Sequence, residues 1–427
     1  MFKSFIEKRL ESYVKIYFEK HPEIKLVAIA GSVGKTSTKI AIGTVLSQKF
    51  RLRLEGGNHN TNLSAPLAML GIDYPSNIRN IFAWFAVFHA ARQRIKQSAD
   101  VDVIVQELGS DRIGQVLQFC EYLHPDIGVI TAVSPEHMEY FKTMEAVAKE
   151  ELELANFSKM ALINRDDIDG KYAKYLKNAN INTYGTNATA EYHFISENYA
   201  LETGNQGVFY APELSEPFSV TINVLGEHTL RPAIVAGAVG LKLGMNAEEV
   251  ANGIAKIRPA DGRMNVLSGI EDTIIIDDSY NSSPLAAESS LRTLYSIKAV
   301  QKIAVLGSMN ELGETSAEEH KKLGELCDPS QLAWVVTVGD EAEKYLVPAA
   351  KARGCQVRSF KNSLLAGAFV RGVMEKRAAI LFKGSEGGIY LEEAVKELLQ
   401  NPEDESRLVR QSTKWLEKKS SFFQKNS

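Results

Sequence analysis

Gly31-Ser-Val-Gly-Lys-Thr-Ser37 follows the short apolar run Lys25-Leu-Val-Ala-Ile-Ala30 and precedes a helical pattern. A buried strand that enters a helix through a tight glycine turn confines this part of the chain to an α/β fold. Gly31 and Gly34 permit the turn, and the backbone N–H groups from Ser32 to Ser37 then face an anion. Lys35 supplies positive charge to outer phosphates, and the Thr36 hydroxyl suits a magnesium ion. The general pattern has a glycine five residues before Gly34, where this chain has Ile29, so the loop is a shortened form. ATP or GTP is the expected ligand.

The rest of the chain repeats the alternation. Val101–Leu108, Ile127–Val133 and Met160–Asn164 read as buried strands separated by helical patterns, which predicts a mostly parallel, doubly wound sheet. His193–Ser196, Gly207–Tyr210 and Phe218–Val224 predict a small antiparallel section, followed by helices at about 230–243 and 246–257. Arg258-Pro-Ala-Asp-Gly262 breaks the pattern. A second, Rossmann-like strand–helix series then includes Thr273–Ile276, Lys302–Leu306, Trp334–Val338 and Ala379–Phe382. The expected organisation is an amphipathic helix within 1–24, a central nucleotide-binding domain over 25–260 and a C-terminal domain over 261–427. The charge run Glu403–Arg410 reads as a solvated helix face, and Ser420–Ser427 as a frayed end.

Composition removes other classes. The 427 residues carry 49 Lys plus Arg against 53 Asp plus Glu, a formal charge of −4, which argues against broad electrostatic binding to nucleic acid. Cys120, Cys327 and Cys355 stand far apart without metal-ligand spacing, consistent with a reducing cytoplasm. No stretch reaches the ~20 apolar residues of a membrane span, and the charged start is unlike a signal peptide.

Further motifs sit at strand ends. Glu55-Gly-Gly-Asn-His-Asn-Thr-Asn-Leu-Ser-Ala-Pro66 is a polar, glycine-bearing loop. Gln106-Glu-Leu-Gly109 puts Glu107 at the carboxyl end of a buried strand, where ligands of open α/β sheets lie and where a carboxylate suits magnesium. Ser134-Pro-Glu-His-Met138 ends another strand and offers His137, a magnesium ligand or a solvated loop histidine.

The order of these motifs resembles the Mur ligase family. The resemblance runs from about residue 25 to 400 and includes GEH at 226–228, DGR at 261–263 and Asp277-Asp-Ser-Tyr-Asn-Ser-Ser-Pro284. Ala304–Gly313 with His320, and Phe382-Lys-Gly-Ser385, look like the D-alanyl-D-alanine-adding branch. It implies that ATP phosphorylates a cell-wall precursor carboxylate and that an amine attacks the acyl phosphate, leaving an amide, ADP and phosphate. By the resemblance, Lys35 contacts the transferring phosphate, Thr36 and Glu107 hold one magnesium ion, and His137 helps to hold a second. Asn60 and Asn62 order substrate and phosphate. Arg263, Asp278, Tyr280 and Asn281 come from the C-terminal domain and close over the nucleotide. Lys383 and Ser385 carry over as substrate contacts. The expected protein is a cytoplasmic monomer with UDP-N-acetylmuramoyl-tripeptide and D-alanyl-D-alanine as substrates. A Mur-type ligase with another acceptor (lipid-linked, folate-like or polypeptide), or an ATP-binding scaffold, is the alternative.

The chain departs from the family pattern in four places. Glu151 stands where the family carries a carbamylated lysine, so it is expected at the second magnesium, with Lys149 as the rival. His228-Thr-Leu-Arg-Pro232 lacks the family's adenine-reading asparagines, and Glu386 replaces an arginine after Lys383-Gly-Ser385. Only about 25 residues precede the phosphate loop, too few for the family's UDP-binding domain. Instead there is an extra segment, Tyr74–Ser98, with the aromatic stripe Phe82, Trp84, Phe85 and Phe88. It reads either as a helix buried on the core or as a surface for a lipid-linked precursor, a partner protein or an anionic membrane. Arg79, Arg92, Arg94 and Lys96 would rim that surface.

Overall fold

The computed structural model describes residues 2–55, 59–75, 77–78, 80–201 and 203–425, which form two compact units. The first comprises residues 1–134, 140–223 and 230–258; the second comprises 135–139, 224–229 and 259–427.

The first unit is built on nine strands: β1 (Lys25–Ala30), β2 (Leu52–Arg53), β3 (Val103–Glu107), β4 (Ile127–Ile130), β5 (Met160–Asn164), β6 (Ile181–Gly185), β7 (Tyr192–Ala200), β8 (Gly204–Tyr210) and β9 (Phe218–Ile222). They lie in the order β2-β3-β1-β4-β5-β6-β7-β8-β9. Pairing is parallel from β2 through β7, and β7, β8 and β9 pair antiparallel. β3 and β4 are buried along their whole length, as is β1 after Lys25, which is why they read as continuous apolar runs rather than alternating ones. β3 lies on one side of β1 and β4 on the other, so the chain reverses its winding there. In open sheets the crevice at the carboxyl ends of such strands is where ligands bind.

Four helices bear on function: α1 (Phe2–Lys20), α2 (Lys35–Leu46), α3 (Ser64–Leu70) and α4 (Ile81–Lys96). α2 packs against the helix Leu230–Lys242, which is buried through most of its length. α1 turns Ile6, Leu10, Tyr13, Val14 and Tyr17 inward. α4 starts at Asn80, whose side chain accepts from Phe82 N.

The second unit holds six strands, β10 (Asn265–Ser268), β11 (Ile274–Asp278), β12 (Lys302–Gly307), β13 (Trp334–Val338), β14 (Val357–Phe360) and β15 (Ala379–Lys383). Their order is β10-β11-β15-β12-β13-β14, parallel except for the β10–β11 edge pair. Leu267, Ile275, Val305, Val336, Ile380 and Phe382 contribute to its core.

Two expectations are corrected here. The terminus does not fray at Ser420: a helix runs from Thr413 to Lys425 and buries Lys419. Nor is Glu403–Arg410 a uniformly solvated helix face. Only Pro402–Arg407 is helical, and the Arg410 side chain is buried in an ion pair with Glu392. A run of mixed charge carries no sign of which member has a buried partner elsewhere.

Candidate active site

The phosphate loop continues β1. Gly31 has φ of 132°, and a Cβ there would stand 2.1 Å from Thr131 Oγ1, so only glycine fits. Gly34, at φ of 88°, is the residue from which α2 starts. Lys35 Nζ donates to Gly31 O at 2.5 Å, folding the ammonium over its own loop. Ser32 Oγ lies 2.9 Å from Ser134 Oγ and accepts from Ser134 N, which ties the loop to the chain after β4.

Parallel register places Glu107 opposite Ile29, beside this loop. Thr36 Oγ1 donates to Glu107 Oε2 at 3.0 Å, and Asn60 Nδ2 donates to Glu107 Oε1 at 3.2 Å. Gln106 Nε2 donates to His59 O and Gly109 N to Asn60 O, pinning the polar loop against the end of β3. Gly56, Gly57 and Asn58 of that loop lie outside the described residues. Lys39, which belongs to none of the motifs above, is buried one turn beyond Lys35 with Nζ 3.8 Å from Glu107 Oε2. Its signal was the i, i+4 spacing from Lys35 on the helix that leaves the loop.

Glu151 arrives from the helix Met144–Phe157. Its Oε2 accepts from Gly31 N at 2.6 Å within the buried interior. Its neighbour Glu150 points elsewhere, accepting from Gly114 N and Val116 N. Lys149, the rival, is exposed. The structure therefore gathers Lys35, Thr36, Asn60, Glu107 and Glu151 around one loop. Asn62 is held apart from Glu107: its amide donates to Gln118 Oε1, and Gln118 in turn reaches Glu11 of α1.

The remaining expected residues belong to the second unit. His137 lies in its 135–139 segment, with Nδ1 2.8 Å from Glu311 Oε2. Asp278 ends β11 opposite Lys383 of β15. Its carboxylate is occupied from within: Lys383 Nζ is 2.8 Å away, Ser290 Oγ donates at 2.5 Å, and Met264 N donates at 3.2 Å. Lys383 also donates to Asn281 O, and Ser385 Oγ donates to Ser282 O. Both side chains thus hold the loop after β11. The Arg263 guanidinium lies 4.2 Å from the centre of the Tyr280 ring.

Asp277 is fully buried. Its Oδ1 accepts from Ser279 N, while Oδ2 has no hydrogen-bond partner among the described residues. Burial, with Asp278 and Glu392 adding negative charge, pushes its carboxyl up to about 7. A carboxyl raised by folding stabilises the fold fully at pH values below its unfolded range and loses that contribution as pH rises through 7. Urea unfolding of the second unit should therefore show a lower midpoint at pH 8 than at pH 5, and Asp277→Asn should flatten that difference.

Two family models match the chain: the Mur ligase middle domain over residues 29–240, and the Mur ligase, glutamate ligase domain over residues 262–386. The chain belongs to the Mur ligase family. As a Mur ligase it is an ATP-dependent amide ligase. The UDP-N-acetylmuramoyl-tripeptide–D-alanyl-D-alanine ligase of Bacillus subtilis (strain 168) is 27% identical over 404 residues, spanning 92% of this chain and 79% of its own. Among solved structures, MurF of Acinetobacter baumannii superposes with a TM-score of 0.75 at 21% identity, covering 92% of this Mur ligase and 80% of that chain. MurF of Thermotoga maritima, solved in complex with ADP, gives 0.73 at 24%, covering 93% and 84%. The expected α/β architecture, with a large, mostly parallel sheet and a second sheet, is the one these relatives share.

Proposed function

We propose that this Mur ligase joins D-alanyl-D-alanine to the tripeptide carboxylate of a UDP-N-acetylmuramoyl precursor in peptidoglycan synthesis, with ATP converted to ADP. The observation that carries the reading is the pairing of Thr36 and Glu107 beneath the phosphate loop, in a chain aligned over 92% of its length with a ligase of that name. ATP phosphates meet the N–H groups at the start of α2 and the Lys35 ammonium, which together offset the charge that develops as the γ-phosphoryl group leaves. The acceptor carboxylate becomes an acyl phosphate, the incoming amine attacks it, and phosphate departs as the amide forms.

Among the described residues no group of three or more His, Cys, Asp or Glu forms a metal cage. One carboxylate and one hydroxyl, Glu107 and Thr36, are nevertheless a donor set that fits magnesium shared with substrate phosphates. When bound there, magnesium would neutralise phosphate charge. The residues' own part is to fix the loop: Asn60 orients Glu107, and Glu151 fixes Gly31.

Glu151 supplies an anion where the family uses a lysine carbamate, so ligation here needs no carbon dioxide. Glu151→Gln should lower kcat about ten- to a hundredfold, the usual cost of losing a supporting anion, and bicarbonate should restore nothing. Full activity of that variant would end the assignment. The reaction itself is tested by phosphate release with ATP, magnesium, UDP-N-acetylmuramoyl-tripeptide and D-alanyl-D-alanine, each omitted in turn. Release that needs both substrates, with an amide of the expected mass, supports the reading, and release independent of D-alanyl-D-alanine counts against it.

A further inference from the structure

The Tyr74–Ser98 aromatic stripe divides. Trp84 and Phe88 are buried, whereas Phe82 and Phe85 are 79% and 65% exposed. Ile78 and Ile81 are exposed as well, so positions 81, 82 and 85 form one apolar stripe at the start of α4, with Ile78 in the turn that precedes it. A solvated helix face is ordinarily polar. Here the first two turns are aliphatic and aromatic.

The start of α1 adds to the same end of the unit. Tyr13 contacts Phe88 and accepts from Arg92 Nε; one turn later Tyr17 accepts from Arg53, which pairs with Asp100 beyond the end of α4. Toward the start of both helices Tyr74 meets Trp84 of α4 and lies near the charge of Glu7 of α1, so the links advance in the same direction and α1 and α4 run parallel with their N-termini together. Phe2 and Phe5 are exposed at the start of α1, as are Ile81, Phe82 and Phe85 at the start of α4.

Behind this apolar tip the exposed positions turn basic. On α1 they are Lys8, Arg9, Ser12, Lys15, Glu19 and Lys20, of which four are basic and one acidic; on α4, Arg92 and Lys96 stand among the uncharged Ala86, His89 and Gln93. α4 contains no acidic residue. Arg94 is taken up by Asp100, so it does not belong to this band, and Arg79 lies outside the described residues. This basic band belongs to a chain with a net charge of −4. No helix among the described residues is long and apolar enough to cross a membrane.

We propose that the paired N-terminal ends of α1 and α4 dock this enzyme peripherally on an anionic phospholipid bilayer. Phe2, Phe5, Phe82 and Phe85 enter the headgroup–acyl boundary, and the Lys8, Arg9, Arg92 and Lys96 band meets lipid phosphates. An aromatic tip backed by cations matches both layers of such a surface, whereas a neutral apolar partner would leave the basic band without a counterpart.

The test is cosedimentation of the full chain with vesicles of phosphatidylcholine alone or mixed with phosphatidylglycerol. Binding should require phosphatidylglycerol, weaken as salt rises, and fall at least about tenfold in Phe82→Ser/Phe85→Ser and in Lys8→Glu/Arg9→Glu. All four side chains are exposed and, among the described residues, only Arg9 gives up a contact, its hydrogen bond to Tyr13 Oη, so unfolding midpoints should move by no more than a few degrees and ligation without vesicles should stay at the parent rate. Equal binding to both vesicle types, no binding at low salt, or binding unchanged in the Phe82/Phe85 variant would overturn the proposal. So would a dimer in sedimentation velocity that the Phe82/Phe85 variant abolishes, since that would make the tip a contact between two copies of this chain.

Discussion

Lys35→Met is expected to lower the single-turnover rate of ADP formation at least about a hundred- to a thousandfold, the usual loss when one preorganised positive group is removed from a charge-developing transition state. Lys35 folds onto the carbonyl of Gly31, so its ammonium is already held at the loop before nucleotide arrives. The substitution removes both that charge and the tether. Lys35→Arg should recover little, because a planar fork cannot replace a compact ammonium inside a turn this tight. Both variants should unfold within a few degrees of the parent, since Lys35 is only half-buried and carries no core packing. ADP formed in rapid quench, beside thermal unfolding, separates the two effects. A Lys35→Met enzyme that forms ADP at the parent rate would remove the loop from the chemistry.

The phosphate loop and Glu107 were legible in the sequence because their information is local: a strand, a turn with two glycines, and a carboxylate where a buried run stops. Thr36 and Asn60 then converge on Glu107 through the parallel register of β1 and β3. Other features are hidden by geometry that sequence spacing does not carry. Glu150 and Glu151 are neighbours on one helix, about 100° apart around its axis, and only the fold shows that one serves Gly114 and Val116 while the other serves Gly31. Lys39 shares an i, i+4 spacing with Lys35, but its burial beside Glu107 is seen only in the fold. In the aromatic stripe, positions 82, 84, 85 and 88 all read as one apolar face, yet the helix buries 84 and 88 and leaves 82 and 85 in solvent. The resemblance sets Asp278 over the nucleotide and Lys383 at substrate, and only the fold shows that the two pair with each other where β11 and β15 end side by side.

Arg410→Met is expected to destabilise the second unit by about 3–5 kcal/mol, the range for removing one partner of a buried ion pair. Arg410 donates to both oxygens of Glu392, which is itself fully buried, and to the carbonyls of Ser279 and Tyr280. Without it Glu392 keeps, among the described residues, Lys419 at 3.4 Å as its cation, and two carbonyls of the loop after β11 lose the Arg410 donor. Glu392→Gln alone should cost less, because a neutral amide leaves no uncompensated charge of its own and Arg410 retains its two carbonyls. Combining Arg410→Met with Glu392→Leu should recover part of the loss, since the stranded charge disappears with its partner. Urea unfolding of the parent, Arg410→Met, Glu392→Leu and the double variant closes this cycle. The same loop carries Tyr280, which stacks on Arg263, so Arg410→Met should also raise the KM for ATP if that stack borders the nucleotide. Costs that simply add across the pair would show that Arg410 and Glu392 act independently. A non-additive cycle with an unchanged KM would instead make Arg410 a brace for the fold and leave nucleotide binding to other groups.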